Sequence, residues 1–411
     1  MPEINDNARR WLVEVATDVL DHGTSGTFTI APEVTRRSAE NYTDAERFNA
    51  ELRRLFRRIP LLLAASCEIQ GRGDFRTYQI AGVPVLLTRD ADGQARALVN
   101  ICTHRGAPVA HGAGHCSRFT CSYHGWTFGL DGRLAAVSSA ADFGAVDRGT
   151  YGLRQLPVLE KGGMIWAILD PESTLDIDAF LGMFGEALSA FDLTGWMLVS
   201  EKTLTGANWK LAFDAHMEFY HLPVLHKNTF GPQTSPRALY YFEGPHQRLI
   251  RPVRYEKNGM PARADLFQWA EHPQDTWPIE SMMMGEWILF PNVSFNSFYD
   301  GGRGVLVSRI YPGETVGESI TVQSYYMAGQ PSDAERAEAQ KTADFLEGVV
   351  AGEDLVNSRN QQRALDSGLL REVSYGCNER GIVHFHEWVD RILAASDAEL
   401  NTLFRDGRAT A

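Results

Sequence analysis

Four residues limit what this chain can fold into more than any others: Cys102 and His104 form a CxH pair, and after 16 intervening residues Cys121 and His124 form a CxxH pair. They lie in CTHRGAPVAHGAGHCSRFTCSYHGW, residues 102 to 126, which holds three of the five cysteines and four of the twelve histidines. Each pair sits between a β-type run and a Gly or Pro, so the pattern predicts two hairpin tips facing each other. Two thiolates and two imidazoles could hold a zinc ion. They could equally hold a 2Fe-2S cluster with two cysteines on one iron and two histidines on the other. A zinc finger of this kind usually has CxxC and HxxxH pairs, whereas here each loop supplies one Cys and one His, as a two-iron cluster clamped between two loops requires. Cys116, His111 and His115 fit no second ligand spacing and read as loop or packing residues. Cys67 and Cys377 stand apart and read as inert thiols.

The surroundings are those of an ordinary globular chain: 411 residues, 44% hydrophobic and 22% charged. A formal charge of -13 argues against nucleic acid or an anionic membrane as partner. The basic run RRLFRRIP, from Arg53, reads as the solvated face of an amphipathic helix. The longest notable apolar run, IPLLLAASC from Ile59, is far shorter than the roughly 20 residues of a membrane-spanning helix, and the N-terminus lacks a signal-peptide pattern. The expectation is a cytoplasmic protein.

Periodicity predicts helices over 5–22 and 44–58, the second with a stripe of Phe48, Leu52, Leu55 and Phe56. Short β-type runs such as VPVLLTRD, RALVNIC and GMIWAILD fill 65–170, split by the turn signals DADGQ and LDGR. Beyond 174 the patterns mix. WILFPNVSFNSFY, GVLVSRIYP and SITVQSYYM read as strands of an antiparallel sheet; AERAEAQKTADFLEGVVAGEDLVNSRNQQRAL reads as one long helix, and GIVHFHEWVDRIL as a last one. The expected division is 1–60 N-terminal helices, 61–172 an all-β cluster domain and 173–411 a second, catalytic domain.

A cluster that moves single electrons needs something downstream to use them, and NWKLAFDAHMEFYHLPVLH, residues 208 to 226, supplies it. His221 and His226 are five apart, with Pro223 between them ending any helix and letting the second imidazole turn back toward the first. Two histidines and one carboxylate form the facial triad of non-haem ferrous oxygenases. Glu218, one helical turn before His221, is placed to hydrogen-bond its free ring nitrogen. Asp214, a turn earlier, either shares that role or forms a plain salt bridge. Asn208 either lines the cavity or caps a helix. His384 and His386, two apart on a helix, point in different directions and suit no metal.

CTHRGAP and CSYHGWTF resemble, almost residue for residue, the two cluster loops of the Rieske non-haem iron oxygenases, oxygenase (alpha) component, and the NWK to His226 segment resembles that family's iron motif. The resemblance covers nearly the whole chain. It implies an α+β fold, an all-β Rieske domain joined to a helix-grip, START-like catalytic domain with an antiparallel sheet. It assigns the Rieske cluster to Cys102, His104, Cys121 and His124, and mononuclear iron to His221, His226 and a distant acid. GEDLVNSRNQQRAL aligns when Gln362 takes the family glutamine, which puts Asp354 at the ligand position with Glu353 as fallback. In the family an acid at 218 bridges the iron site to a Rieske histidine of the neighbouring subunit in a ring-shaped trimer. Most members use Asp there; Glu218 is similar to the subgroup acting on quaternary amines, such as choline and carnitine monooxygenases.

The implied activity is hydroxylation of an organic substrate with dioxygen and electrons from a separate reductase or ferredoxin. NAD(P)H is used only indirectly, since no GxGxxG fingerprint opens a βαβ unit here. The Met, Trp and Phe content of SMMMGEWILFPNVSFNSFYDGG, within the expected pocket segment 227–310, favours an aromatic or hydrophobic substrate, with oxidation or N-demethylation of a methylated amine as the alternative. An α3 ring or an α3β3 assembly with a small second subunit fits the intersubunit path. From another class, a Rieske electron carrier without oxygenase activity would lack the triad.

Overall fold

Residues 4–252, 256–257, 260–261, 266–298 and 303–404 are described by the computed structural model of the chain. Runs that alternate in character between 197 and 327 make one antiparallel sheet. Its seven strands lie in the order Met197–Gly206, Ser319–Met327, Gly304–Pro312, Val293–Phe298, Glu286–Leu289, His246–Ile250 and Leu239–Glu243. The stretch WILFPNVSFNSFY is two strands with a turn at 290–292; Tyr299 and the Asp-Gly-Gly that follows it lie outside the described residues.

Residues paired across strands share a face. Trp287, Phe295 and Val307 therefore lie on one face, and Ile288, Ser294, Ser308 and Gln323 on the other. The first face packs on two helices, Asp6–Ser25 and Ile177–Leu188, where the Trp11, Phe184 and Trp287 rings meet at 5.1 to 6.0 Å. The first of these helices keeps Leu12, Val15, Ala16, Val19 and Leu20 inside, starts at an Asn5 cap and ends at left-handed Gly26. The second sheet face is covered by later helices: Tyr325 and Met327 pack on Ala339 and Ala343 of Asp333–Val349.

Two expected helices are interrupted. The 334–365 segment is two helices, Asp333–Val349 and Leu355–Leu365, joined by a π-helical turn at Val350–Asp354. The 44–58 segment is a helix Ala45–Ala50 followed by a π-helical stretch Glu51–Phe56. There the wider turn puts Glu51 in full burial, where it binds Lys210 Nζ at 2.6 and 2.7 Å and accepts from Trp209 Nε1 at 2.8 Å. A period of 3.6 cannot anticipate a turn set by a partner so far along the chain. The arginines of RRLFRRIP are also less solvated than expected: Arg57 donates to the Ala81 carbonyl, and Arg58 pairs with Asp170 at 3.2 Å and Asp397 at 2.8 Å.

The β-rich region holds a five-stranded sheet in the order Gln155–Leu156, Ala95–Val99, Val83–Arg89, Asp74–Ile80, Ala113–His115, and a small one of Phe119–Thr120, Thr127–Phe128 and Leu134–Ala136. Its incoming strand, Leu61–Ala65, pairs with its outgoing strand, Met164–Ala167. Arg76 ties it to the large sheet, binding Glu201 at 2.5 Å and pairing with Glu68, while Tyr326 donates to Glu68 at 2.6 Å. The two ends of the chain also meet, since Thr35–Ser38 pairs with Glu372–Tyr375 ahead of the last long helix, Arg380–Ala394. No helix among the described residues is long and apolar enough to cross a membrane.

Candidate metal centres

The two Cys/His loops have the same backbone. In each, the Cys N–H donates across the turn (Cys102 to Ala107, Cys121 to Trp126, both 2.8 Å) and its carbonyl accepts from a Gly N–H, Gly106 or Gly125, at 2.9 Å. Both glycines are left-handed, and a side chain at Gly125 would strike Ser138 Oγ at 2.3 Å. The result is two thiols, each 2% exposed, at the base and two imidazoles at the tips, their rings 4.6 Å apart. Burial, then the adjoining Cys121 thiol, push Cys102 above its ordinary range. Buried Trp126 stacks on His104 at 5.0 Å and fixes that ring. Two soft and two imidazole donors, one of each per loop, fit a two-iron cluster. Cys116, His111 and His115 lie outside this donor set; His115 pairs with Asp74 at 2.9 Å. Cys67 is a half-buried thiol that burial pushes up to about 12.

The second centre is assembled from distant segments. A short helix, Leu222–Leu225, separates His221 from His226, and Pro223 opens this helix where the sequence reading had it ending one. The turn brings both Nε2 atoms toward Asp354 Oδ1, at 3.7 Å for His221 and 3.5 Å for His226. Ligand atoms of these three residues all lie within 4.8 Å of one another, and they are the group of this kind found among the described residues.

Both Nδ1 atoms face away and are occupied. His221 Nδ1 is hydrogen-bonded to Glu218, which also accepts from the His221 backbone N–H at 3.0 Å. His226 Nδ1 is bonded to Glu353 at 2.6 Å. Orientation of each imidazole by a carboxylate behind it is how proteins present histidine to a metal. Burial pulls His226 down, but Asp354 and Glu353 outweigh it and hold the ring above its ordinary pKa; a divalent cation would displace that proton. Two imidazoles and one carboxylate on one side of an open position fit mononuclear iron. The π turn is what allows adjacent Glu353 and Asp354 to serve two sides of the same histidine.

Asn208 and Asp214 lie elsewhere. Asn208, fully buried, caps helix Trp209–Asp214 by accepting from Lys210 N at 3.0 Å and donates to the Val316 carbonyl at 2.7 Å, so it belongs to the scaffold and not to a cavity wall. Asp214 does not join Glu218: it accepts from Tyr42 at 2.5 Å and from His386 Nε2 at 3.1 Å, with Tyr375 behind Tyr42 at 2.5 Å. Sequence reasoning missed this cluster because three of its members come from the two ends of the chain. It also cast Glu353 as a substitute ligand rather than the support of His226; the adjacency of the two acids was the available signal.

A model for the catalytic domain of the ring hydroxylating alpha subunit matches residues 193–395, and one for the Rieske [2Fe-2S] domain matches residues 60–154. The chain is 34% identical over 212 residues to the glycine betaine monooxygenase oxygenase subunit of Pseudomonas aeruginosa, an alignment covering 49% of this chain and 48% of that protein, so it spans about half the length of that relative. It is 31% identical over 368 residues to the carnitine monooxygenase oxygenase subunit of Escherichia coli K12, covering 86% of this chain and 92% of that one. A crystal structure of the quaternary ammonium Rieske monooxygenase CntA with an inhibitor has the same fold, with a TM-score of 0.73 at 20% identity over 88% of this chain and 96% of that one. The cofactors these domains imply are a Rieske cluster and a mononuclear iron. With both domain matches in order along one chain and the E. coli relative aligned over most of its length, this chain belongs to the Rieske non-haem iron oxygenases, as an alpha component.

Proposed function

We propose that this chain is a terminal oxygenase component that takes electrons from a separate reductase or ferredoxin and uses dioxygen to oxidise a carbon of a methylated or quaternary amine. The observation that carries the reading is the convergence of His221 and His226 Nε2 on Asp354, with both Nδ1 atoms held by acids. Cys102, His104, Cys121 and His124 would hold the cluster, and His221, His226 and Asp354 the iron. When bound, these groups supply one-electron transfer and dioxygen activation. The chain's own contribution is orientation: Glu218 and Glu353 fix the two rings, Trp126 fixes His104, and the helix cap at Asn208 sets where the iron segment begins.

A ring-shaped trimer, as α3 or α3β3, is supported by where large apolar groups are left uncovered. Tyr123, Phe143 and Tyr151 are exposed around the cluster loops, and Tyr220 and Val224, 58% and 74% exposed, beside the iron histidines. In a ring each patch would cover the other, and Glu218 would face a Rieske histidine of the neighbouring copy.

The amine reading draws support from the relatives named for glycine betaine and carnitine and from Glu at 218. An aromatic or hydrophobic substrate has less support, because Met282, Met283, Trp287, Phe290 and Phe295 are core residues at 0 to 1% exposure. The test is substrate-dependent oxygen uptake by the iron-loaded protein with a reductase, using glycine betaine, choline, carnitine and benzoate. Uptake with an amine, with one product oxygen derived from labelled dioxygen, is expected. Uptake with benzoate alone, or uptake unchanged by removing His221 and His226, would overturn the reading.

A further inference from the structure

The sheet face covered by the helices on either side of Asp354 is polar across its middle. Ser294, Ser308 and Gln323 sit side by side there, buried at 2%, 1% and 4% exposure, and Gln323 Oε1 has no hydrogen-bond partner. Glu286 lies on the same face, two residues before Ile288, which pairs with Ser294. It accepts from Ser294 Oγ at 2.7 Å and pairs with His216 Nδ1 at 3.1 Å, both through Oε1. Among the described residues no hydrogen bond is made by Oε2. His216 belongs to the loop between helix Trp209–Asp214 and Glu218, and it is close enough to Asp354 to feel that charge. The pair therefore spans from the polar sheet face to the neighbourhood of the iron ligands.

The Glu286 side chain keeps 12% of its surface exposed, so with Oε1 engaged by Ser294 and His216 it is Oε2 that a ligand would meet. We propose that Glu286 selects for positive charge in the substrate cavity, holding the cationic head of a methylated amine at Oε2, while His216 and Ser294 fix its orientation through Oε1. This rests on the amine reading above and adds the residue that would enforce it. Whether His216 carries a proton changes the net charge of the pair but not the uncommitted oxygen.

Glu286→Gln keeps the shape and an acceptor for Ser294 and His216 while removing the charge. The experiment is calorimetric binding of choline and of its neutral carbon isostere, 3,3-dimethylbutan-1-ol, to the iron-loaded, anaerobic protein. Wild type should prefer choline; Glu286→Gln should lose about tenfold or more for choline, the scale of one lost contact, with the isostere and the iron content unchanged. If the variant keeps wild-type preference, Glu286 is not the selector although the amine reading stands. If wild type binds the isostere as tightly as choline, both fall. Should Glu286→Gln not load iron, Ser294→Ala, which loosens Oε1, is expected to weaken choline by about threefold and leave the isostere alone; no selective loss there would also overturn the proposal.

Discussion

Cys102, His104, Cys121 and His124 fall in one short stretch and share two copies of a single turn, whereas Glu353 and Asp354 reach His221 and His226 from a distant π-helical turn, Glu353 lying 127 residues beyond His226. The first site is set by backbone geometry within a few residues. The second exists only when the sheet, the helix after it and the 209–226 segment are all in place. Local sites should therefore survive damage elsewhere, and assembled sites should not.

The largest expected effect separates the two sites directly. Replacing His221 and His226 by Ala should lower iron from about three to about two per chain, abolish oxygen uptake and leave the cluster's EPR signal intact. Cys121→Ala should remove the cluster and spare the mononuclear iron. Loss of the cluster and the mononuclear iron together in either variant would mean that the sites are not independent. Next comes deletion of Gly352, around which a side chain would meet open space. Restoring a regular helix should rotate Asp354 away, lose the mononuclear iron and keep the cluster and the melting transition, as read by metal analysis and calorimetry.

Glu353→Gln is a smaller blow, about 10- to 100-fold in iron affinity by metal titration, because it loosens an orienting carboxylate and not a ligand. An acid scan should find the catalytic half giving way first. His246 donates from Nε2 to the Phe180 carbonyl and accepts at Nδ1 from Phe290 N–H, so its fold requires the neutral ring. Burial pulls both His246 and His384 down to about 4. The unfolded chain, titrating near 6.5, then binds more protons than the folded one between these values. Stability is full above about pH 6.5 and is lost as pH falls toward 4; His384→Gln should flatten that slope in a plot of melting temperature. The smallest effect is Tyr42→Phe, about 1 kcal/mol by denaturant unfolding, since His386 still donates to Asp214.

The cluster site was legible because its chemistry and its backbone are written in adjacent residues. The approach of His221 to His226 was legible by spacing, but that of Asp354 needed the family's alignment, since nothing local marks one acid of a surface-like helix. What stayed hidden depends on contacts made across the chain: the π turns around Glu51 and Asp354, the tie between Asp214 and both chain ends, and the sheet register. That register sends Trp287 and Phe295 to the core and Glu286 and Ser294 to the other face. Composition read that stretch as aromatic; alternation made one side of it polar.

The pairing of Leu61 with Ala167 puts the first and last strands of the β-rich region next to each other. A segment that leaves and rejoins its host through neighbouring strands behaves as a graft: it can be lengthened, trimmed or exchanged for one with the same separation of ends without re-routing the host. What such an exchange must reproduce is the set of charged moorings between graft and host, Arg76 with Glu201, Asp170 with Arg58, and Lys161 with Asp178 and Glu186. Electron-transfer modules of different potential could then be fitted to one oxygen-activating scaffold, with the driving force chosen separately from the substrate.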